Sequence, residues 1–210
     1  MIKTWDLALV VGRFQPLHYG HQHTIDIARS LAGRVIVLCG SADEYGTKRN
    51  PFPVNLRAKL IREVYPDEQE VIVGGLNDLT EHPGICPEWG LHILQTCKQY
   101  TRKVPELIVF GKEEANQNWF SCSDELKRCV KGITEVAISR EKYDVSGTTM
   151  REYLFRDEFD KWASNCNPHL HKYYDELRTH LLNSKGLEDK VRIHLHPSEG
   201  WTDKPIYLSQ

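Results

Sequence analysis

Short apolar runs alternate with stretches of helical spacing along most of the chain. Asp6–Val11 and Arg34–Cys39 are runs rich in Leu, Val and Ile, bounded by glycine. That is the pattern of strands buried on both faces. Glu70–Val73, Glu106–Phe110 and Glu135–Ile138 repeat it more briefly. Between these runs, apolar residues recur at helical spacing: Ile25, Ala28 and Leu31, then Leu56, Leu60 and Val64, then Trp89, Ile93, Cys97 and Tyr100. Each set predicts an amphipathic helix. Strand–helix alternation predicts an α/β layer fold with a parallel sheet. Right-handed crossovers then put helices on both faces and leave the loops at the strand C-termini to form the site.

The end of the chain turns helical. Asn167-Pro168 predicts a helix start, with Leu170, Tyr173/Tyr174, Leu177 and Leu181 as its apolar stripe. Beyond Ser184-Lys185-Gly186, Val191, Ile193 and Leu195 alternate with Arg192, His194 and His196, which predicts one half-exposed strand. The expected division is one domain over residues 1–184 and a C-terminal extension over 185–210 with no assigned role. His194 and His196 could offer a metal two ligands, but no third partner is visible and the strand-surface reading is preferred.

Composition narrows the classes. A chain of 210 residues can bury a sizeable core without disulfides or metals. Its 40% hydrophobic and 27% charged residues are ordinary globular values and exclude collagen-like, coiled-coil and disordered readings. Lysine plus arginine total 27 against 29 aspartate plus glutamate, a formal charge of -2. This removes the basic footprint of a general nucleic-acid binder, though not a local basic pocket. No apolar run approaches a membrane span, and the N-terminal run broken by Gly12-Arg13 is no signal peptide. The six cysteines, at 39, 86, 97, 122, 129 and 166, form no CxxC pair or zinc pattern. They predict small buried hydrophobes in a reducing compartment, hence a cytoplasmic protein.

Two segments carry candidate chemistry. Gly12-Arg13-Phe14-Gln15-Pro16-Leu17-His18-Tyr19-Gly20-His21 follows the first strand and opens the first helix. There, backbone N–H groups of the turn and helix start favour an anion. His18 and His21 flank Gly20, so two imidazoles can converge on one phosphate. The competing reading of the tetrapeptide alone is a pair of histidines satisfied by the backbone in a tight turn. The second segment is Asp144-Val145-Ser146-Gly147-Thr148-Thr149-Met150-Arg151. Ser146 or Thr148 is a natural N-cap, and the bland reading is a capped helix. Arg151, read as a first-turn cation, opposes the helix macrodipole. An anion shared by Ser146, Thr148, the helix N–H groups and Arg151 would remove that conflict.

Together the segments resemble the signature pair of the nucleotidylyltransferase superfamily: HxGH after strand one and Ser-x-Thr-x-x-Arg before a late helix. Gly12-Arg13-Phe14-Gln15-Pro16 resembles the form found in archaeal-type nicotinamide mononucleotide (NMN) adenylyltransferases and in bacterial enzymes that fuse this domain to a Nudix hydrolase. Gly40-Ser41-Ala42, Thr47-x-Arg49-Asn50-Pro51-Phe52, and Trp89 after Asn77-Asp78 are similar to the same group. The likeness runs from about Leu7 to Leu182. Gly111-Lys112-Glu113 departs from the archaeal Ser-Gly-Asn and is nearer the Nudix-fused branch, although no Nudix box follows.

The resemblance implies a Rossmann-like nucleotidylyltransferase fold with a helical C-terminal part. It implies transfer of adenylate from ATP to the 5′-phosphate of NMN, giving NAD and pyrophosphate, with small-molecule substrates and neither nucleic acid nor membrane as partner. Homo-oligomerisation stays open. His18, His21 and Arg151 are the implied catalytic residues. Gly12, Arg13, Phe14, Arg49, Ser146, Gly147 and Thr148 are implied on the ATP side, and Ser41, Asp78 and Trp89 on the NMN side. No protein cage for a metal is implied; Mg2+ would be carried mainly by the ATP phosphates. Trp89 would stack on the charged nicotinamide ring.

Several of these residues have a plain alternative: Trp89 as a core residue beside Ile93, Arg49 as a solvated charge, Asp78 as a turn cap. Arg57 reads as a surface residue. The rival functions are transfer to nicotinate mononucleotide, FMN or phosphopantetheine, a non-catalytic NAD or ATP sensor, and a class I synthetase fragment. Gly-Arg-Phe-Gln-Pro and Trp89 disfavour FMN and phosphopantetheine; the phosphate-handling residues disfavour the sensor.

Overall fold

A computed structural model describes residues 3–79, 87–111, 133–139 and 143–184. The predicted 191–195 strand, His194 and His196, Lys112-Glu113 and Cys86, Cys122 and Cys129 lie outside the described residues. The five predicted strands are all present: β1 (Trp5–Gly12), β2 (Ala32–Cys39), β3 (Val71–Gly75), β4 (Leu107–Gly111) and β5 (Thr134–Ile138). They form one parallel sheet in the order β3-β2-β1-β4-β5. The intervening helices are α1 (Tyr19–Leu31), α2 (Val54–Val64) and α3 (Pro87–Thr101). The helical C-terminal part comprises α4 (Gly147–Phe155), α5 (Phe159–Ala163), a 3-10 helix (Pro168–Tyr173) and α6 (Tyr174–Leu182).

Strand pleating sorts the core into two faces. Ala8, Val10, Val35, Val37, Val71 and Val109 join one buried cluster, to which α1, α2, α4 and α6 contribute Ile25, Leu60, Leu154 and Leu177. Leu7, Leu9, Ile36, Leu38 and Ile108 meet α3 through Trp89, Ile93 and Cys97 on the other. Apolar burial on both faces is why the central strands read as continuous hydrophobic runs. β5 is an edge strand and keeps Thr134, Glu135 and Ala137 exposed.

One helix expectation needs correction. Tyr100 does not continue the inward stripe of α3; it is 44% exposed. Its ring lies over Gly74 of the edge strand β3, where a Cβ would come within 2.5 Å of it, and its hydroxyl accepts the Gly75 N–H at 3.0 Å. Asn167-Pro168 does open a helix, a 3-10 turn that leads into α6, with the Asn167 side chain capping the His169 N–H. The stripe itself is inward: Leu170, Tyr173, Tyr174, Leu177 and Leu181 are all buried. This layer docks on α2, where the Glu63 carboxylate accepts from Lys172 at 2.6 Å and from Tyr173 at 2.8 Å. Cys39, Cys97 and Cys166 are buried and free; burial pushes each thiol up to about 12, so they serve as core volume.

Candidate active site

The chain leaves β1 toward β2 on one side and later returns to β4 on the other, so β1 and β4 flank the topological switch point. A cavity of about 310 Å³ opens there. Its floor is the end of β1 and of β4, including Val10, Gly12, Phe110 and Gly111. One wall is the start of α1, with His18 and His21; the opposite wall is the start of α4, with Ser146, Gly147, Thr148 and Arg151. Two helix N-termini therefore face one space, and both favour negative charge.

His18 is the N-cap of α1 and its Nδ1 accepts the Gly20 N–H at 3.1 Å. That bond leaves Nδ1 without a proton, so the neutral ring carries its proton on Nε2 as a donor. The His18 and His21 rings lie 3.8 Å apart between centroids, and Phe14 supports His21 at 4.8 Å. Gly20 is required by this packing. A Cβ there would sit 3.0 Å from His18 Cε1 and 3.1 Å from Nδ1, displacing the imidazole. The 13-residue α1 is braced by the C-terminal layer, whose Asn165 carbonyl accepts the Tyr19 N–H at 3.0 Å.

On the other wall Ser146 is the N-cap, its Oγ accepting from the Thr149 N–H at 3.1 Å. Arg151 falls at the fifth position of α4, just past the first turn. Its side chain runs back along the helix, as Cβ geometry dictates, and Nη2 donates to Thr148 Oγ1 at 3.1 Å. Nη1 donates to the Gln15 carbonyl at 2.9 Å, across 136 residues of sequence. Arg151 is thus only 3% exposed and ties the two motifs to each other. Gly147 allows this: a Cβ there would lie 3.0 Å from the Gln15 oxygen and 3.3 Å from Arg151 Nη1.

Gly12, Arg13 and Phe14 also line the cavity. Four other sequence-predicted residues do not. Arg49 is half-buried beside the buried Lys48, away from the lining. Ser41 lies in the loop two residues beyond β2 with φ of 47°, outside the lining. Asp78 is half-buried after β3, and its N–H donates to the Asp43 carboxylate at 3.3 Å. Trp89 is 4% exposed, packed in the α3 core with His92 edge-on at 5.7 Å.

Two residues were not recognised from sequence. Gln15 is 2% exposed; its amide donates to the Phe52 carbonyl and accepts the Phe52 N–H, both at 3.0 Å. Arg57, expected at the surface, is fully buried. It follows Leu56 and precedes Ile61 by four, so it shares the inward face; that spacing was the available signal. Burial is the largest influence on its guanidinium and pulls its pKa below the ordinary value, partly offset by Cys39, Asp78 and Glu44.

A five-stranded parallel sheet with helices on both faces and a crevice at its switch point is the architecture of the Rossmann-like nucleotidylyltransferase fold. The cytidylyltransferase-like family model matches residues 9–166, and the chain belongs to that family. Nicotinamide-nucleotide adenylyltransferase of Aeropyrum pernix is 52% identical over 54 residues, 26% of this chain and 31% of that protein. A probable nicotinate-nucleotide adenylyltransferase of Sulfurimonas denitrificans is 24% identical over 188 residues, 81% of this chain and 95% of the relative. Among solved structures, a bifunctional NMN adenylyltransferase/ADP ribose pyrophosphatase from Francisella tularensis matches with a TM-score of 0.65 at 18% identity. That match covers 91% of this chain and 57% of the Francisella chain, and at this identity it speaks for the fold. The Aeropyrum match therefore spans about a third of its relative's length.

Proposed function

We propose that the protein transfers adenylate from ATP to the 5′-phosphate of nicotinamide mononucleotide, forming NAD and pyrophosphate. The observation that carries this reading is the convergence of His18, His21 and Arg151 on one cavity between two helix N-termini. A phosphate oxygen of the mononucleotide attacks the α-phosphorus of ATP, the bond to the β-phosphate oxygen breaks, and pyrophosphate leaves with that electron pair. Such a transfer asks for in-line positioning and charge stabilisation rather than a covalent nucleophile. His18 Nε2–H and His21 stabilise charge on the phosphorus in transit. Arg151, Ser146 and Thr148 hold the departing pyrophosphate, with Arg13 adding charge.

Among the described residues, the lining offers imidazoles, guanidinium groups and hydroxyls without a carboxylate, and no group of three metal-ligating side chains exists. This donor set suits phosphate oxygens. It fits Mg2+ as an ion carried by the triphosphate, where it neutralises phosphate charge. Arg49, Ser41, Asp78 and Trp89 belong to this reading as substrate contacts contributed from beyond β2, from beyond β3 and from α3. Among the described residues no helix is long and apolar enough to cross a membrane; the free cysteines support a reducing, cytoplasmic setting.

Nicotinate mononucleotide is the second acceptor to consider, because the Sulfurimonas relative that aligns over most of its length carries that name. Incubation with MgATP and a panel of mononucleotides, read by product mass, tests the proposal. A dinucleotide from NMN is expected; formation only from the nicotinate substrate transfers the reading to the acid, and no dinucleotide from either refutes it.

A further inference from the structure

Arg57 sits on α2 beneath the ends of β1 and β2, with no exposed surface. Nη1 donates to the carbonyls of Arg13 at 2.8 Å and Gly40 at 2.6 Å, and Nη2 donates to the Ser41 carbonyl at 2.9 Å. Buried arginines ordinarily meet a carboxylate, because an isolated buried charge is costly. Here, among the described residues, the hydrogen bonds run to main-chain carbonyls instead. Those carbonyls belong to two loops, one leaving β1 and the other leaving β2.

Each loop also carries a non-glycine residue in the left-handed region: Phe14 at φ 51° and Ser41 at φ 47°. Such conformations are unfavourable for residues with a Cβ and persist only where the surroundings hold them. Arg57 binds the carbonyl immediately before Phe14 and that of Ser41 itself. Phe14 in turn supports the His21 ring, so the guanidinium is linked through one peptide and one ring to the proposed reacting centre. The Gly40 N–H donates to the Gly12 carbonyl at 2.9 Å and couples the loops directly as well.

We propose that Arg57 is a positioning residue of the nucleotide site: it clamps the loops after β1 and β2 in one register and sets the placement of Phe14, His21 and Ser41. This rests on the reading that the cavity takes a nucleoside triphosphate. A guanidinium fork suits three carbonyls in two loops; an ammonium at the same place is a point donor on a flexible stem. A misplacement of about 1 Å near reacting groups can lower rates by about 10²-fold.

The test compares wild type with R57K and R57M by thermal melting and by kcat and KM for ATP and for the mononucleotide. Both variants are expected to melt cooperatively. R57M is expected to lose about 10²-fold in kcat, more than it changes either KM, and R57K to recover part of that loss. Activities within about twofold of wild type overturn the proposal, as does failure of both variants to fold, which would make Arg57 a strut of the core. If wild type forms no dinucleotide, the functional reading fails separately. Calorimetric titration with MgATP then decides on Arg57: binding at least about tenfold weaker in R57M than in wild type supports the clamp. Equal binding, or none to wild type, overturns it.

Discussion

The two sides of the sheet's C-terminal edge are built differently. At β1 and β4, residues from distant parts of the chain meet: Arg151 reaches the Gln15 carbonyl, and His18 and His21 stack beside it around one cavity. At β2 and β3, Ser41, Asp78 and Trp89 are spread over a loop, a strand end and a helix, and none lines that cavity. The contrast follows from the ligands proposed for each side. A triphosphate needs fixed charge and N–H donors, which helix N-termini and tight turns supply with little freedom. A heteroaromatic acceptor is sorted by shape and a few polar contacts, which loops provide.

The largest effect that would break this contrast is at the β1–β4 side. His18→Ala or Arg151→Ala should lower turnover about 10²–10³-fold while the protein still melts cooperatively; near-normal kcat in both would remove their assigned roles. Gly147→Ala should cost about tenfold in kcat, because its Cβ presses on the Gln15 oxygen at 3.0 Å and on Arg151 at 3.3 Å. A fall in steady-state rate at a temperature where the variant is still fully folded is the expected signature. On the acceptor side, Trp89→Leu should raise KM for the mononucleotide by at least about two- to fivefold, the worth of a lost cation–π contact, and leave KM for ATP unchanged. An unchanged KM for both would assign Trp89 to the core alone.

The smallest effect lies outside both sides, at the docking of the C-terminal layer. Hydrogen bonds from Lys172 and then Tyr173 hold the Glu63 carboxyl below its ordinary value of 4.5. A lowered folded-state pKa stabilises above the ordinary carboxylate range, and that contribution is lost as pH falls through it. The melting-temperature difference between wild type and Glu63→Gln should therefore shrink as pH drops below 4.5, with turnover at neutral pH unchanged. A difference that stays constant across that range would contradict the assignment.

What could be read from sequence was what local chemistry writes there. The strand runs were legible because both faces of the central strands are apolar, and HxGH because Gly20 must yield space to a neighbouring ring two residues away. Ser146 was legible as a cap because its hydroxyl serves the N–H three residues on. Arg57 was not: its acceptors lie 44, 17 and 16 residues away, and a lone cation on a helix gives no hint of three carbonyls arranged around it. Arg151 was noticed for its clash with the helix dipole, yet its partner, the Gln15 carbonyl, has no side-chain signature at all. Tyr100 was misread because periodicity does not tell that it packs on the edge strand β3, which leaves it 44% exposed.

The most direct test is a crystal structure with a non-hydrolysable ATP analogue and Mg2+. The account predicts phosphate oxygens within about 3.2 Å of both His18 Nε2 and the Arg151 guanidinium, in the space between β1 and β4. An analogue whose phosphates contact only one of these walls, or settle at another strand end, would contradict it.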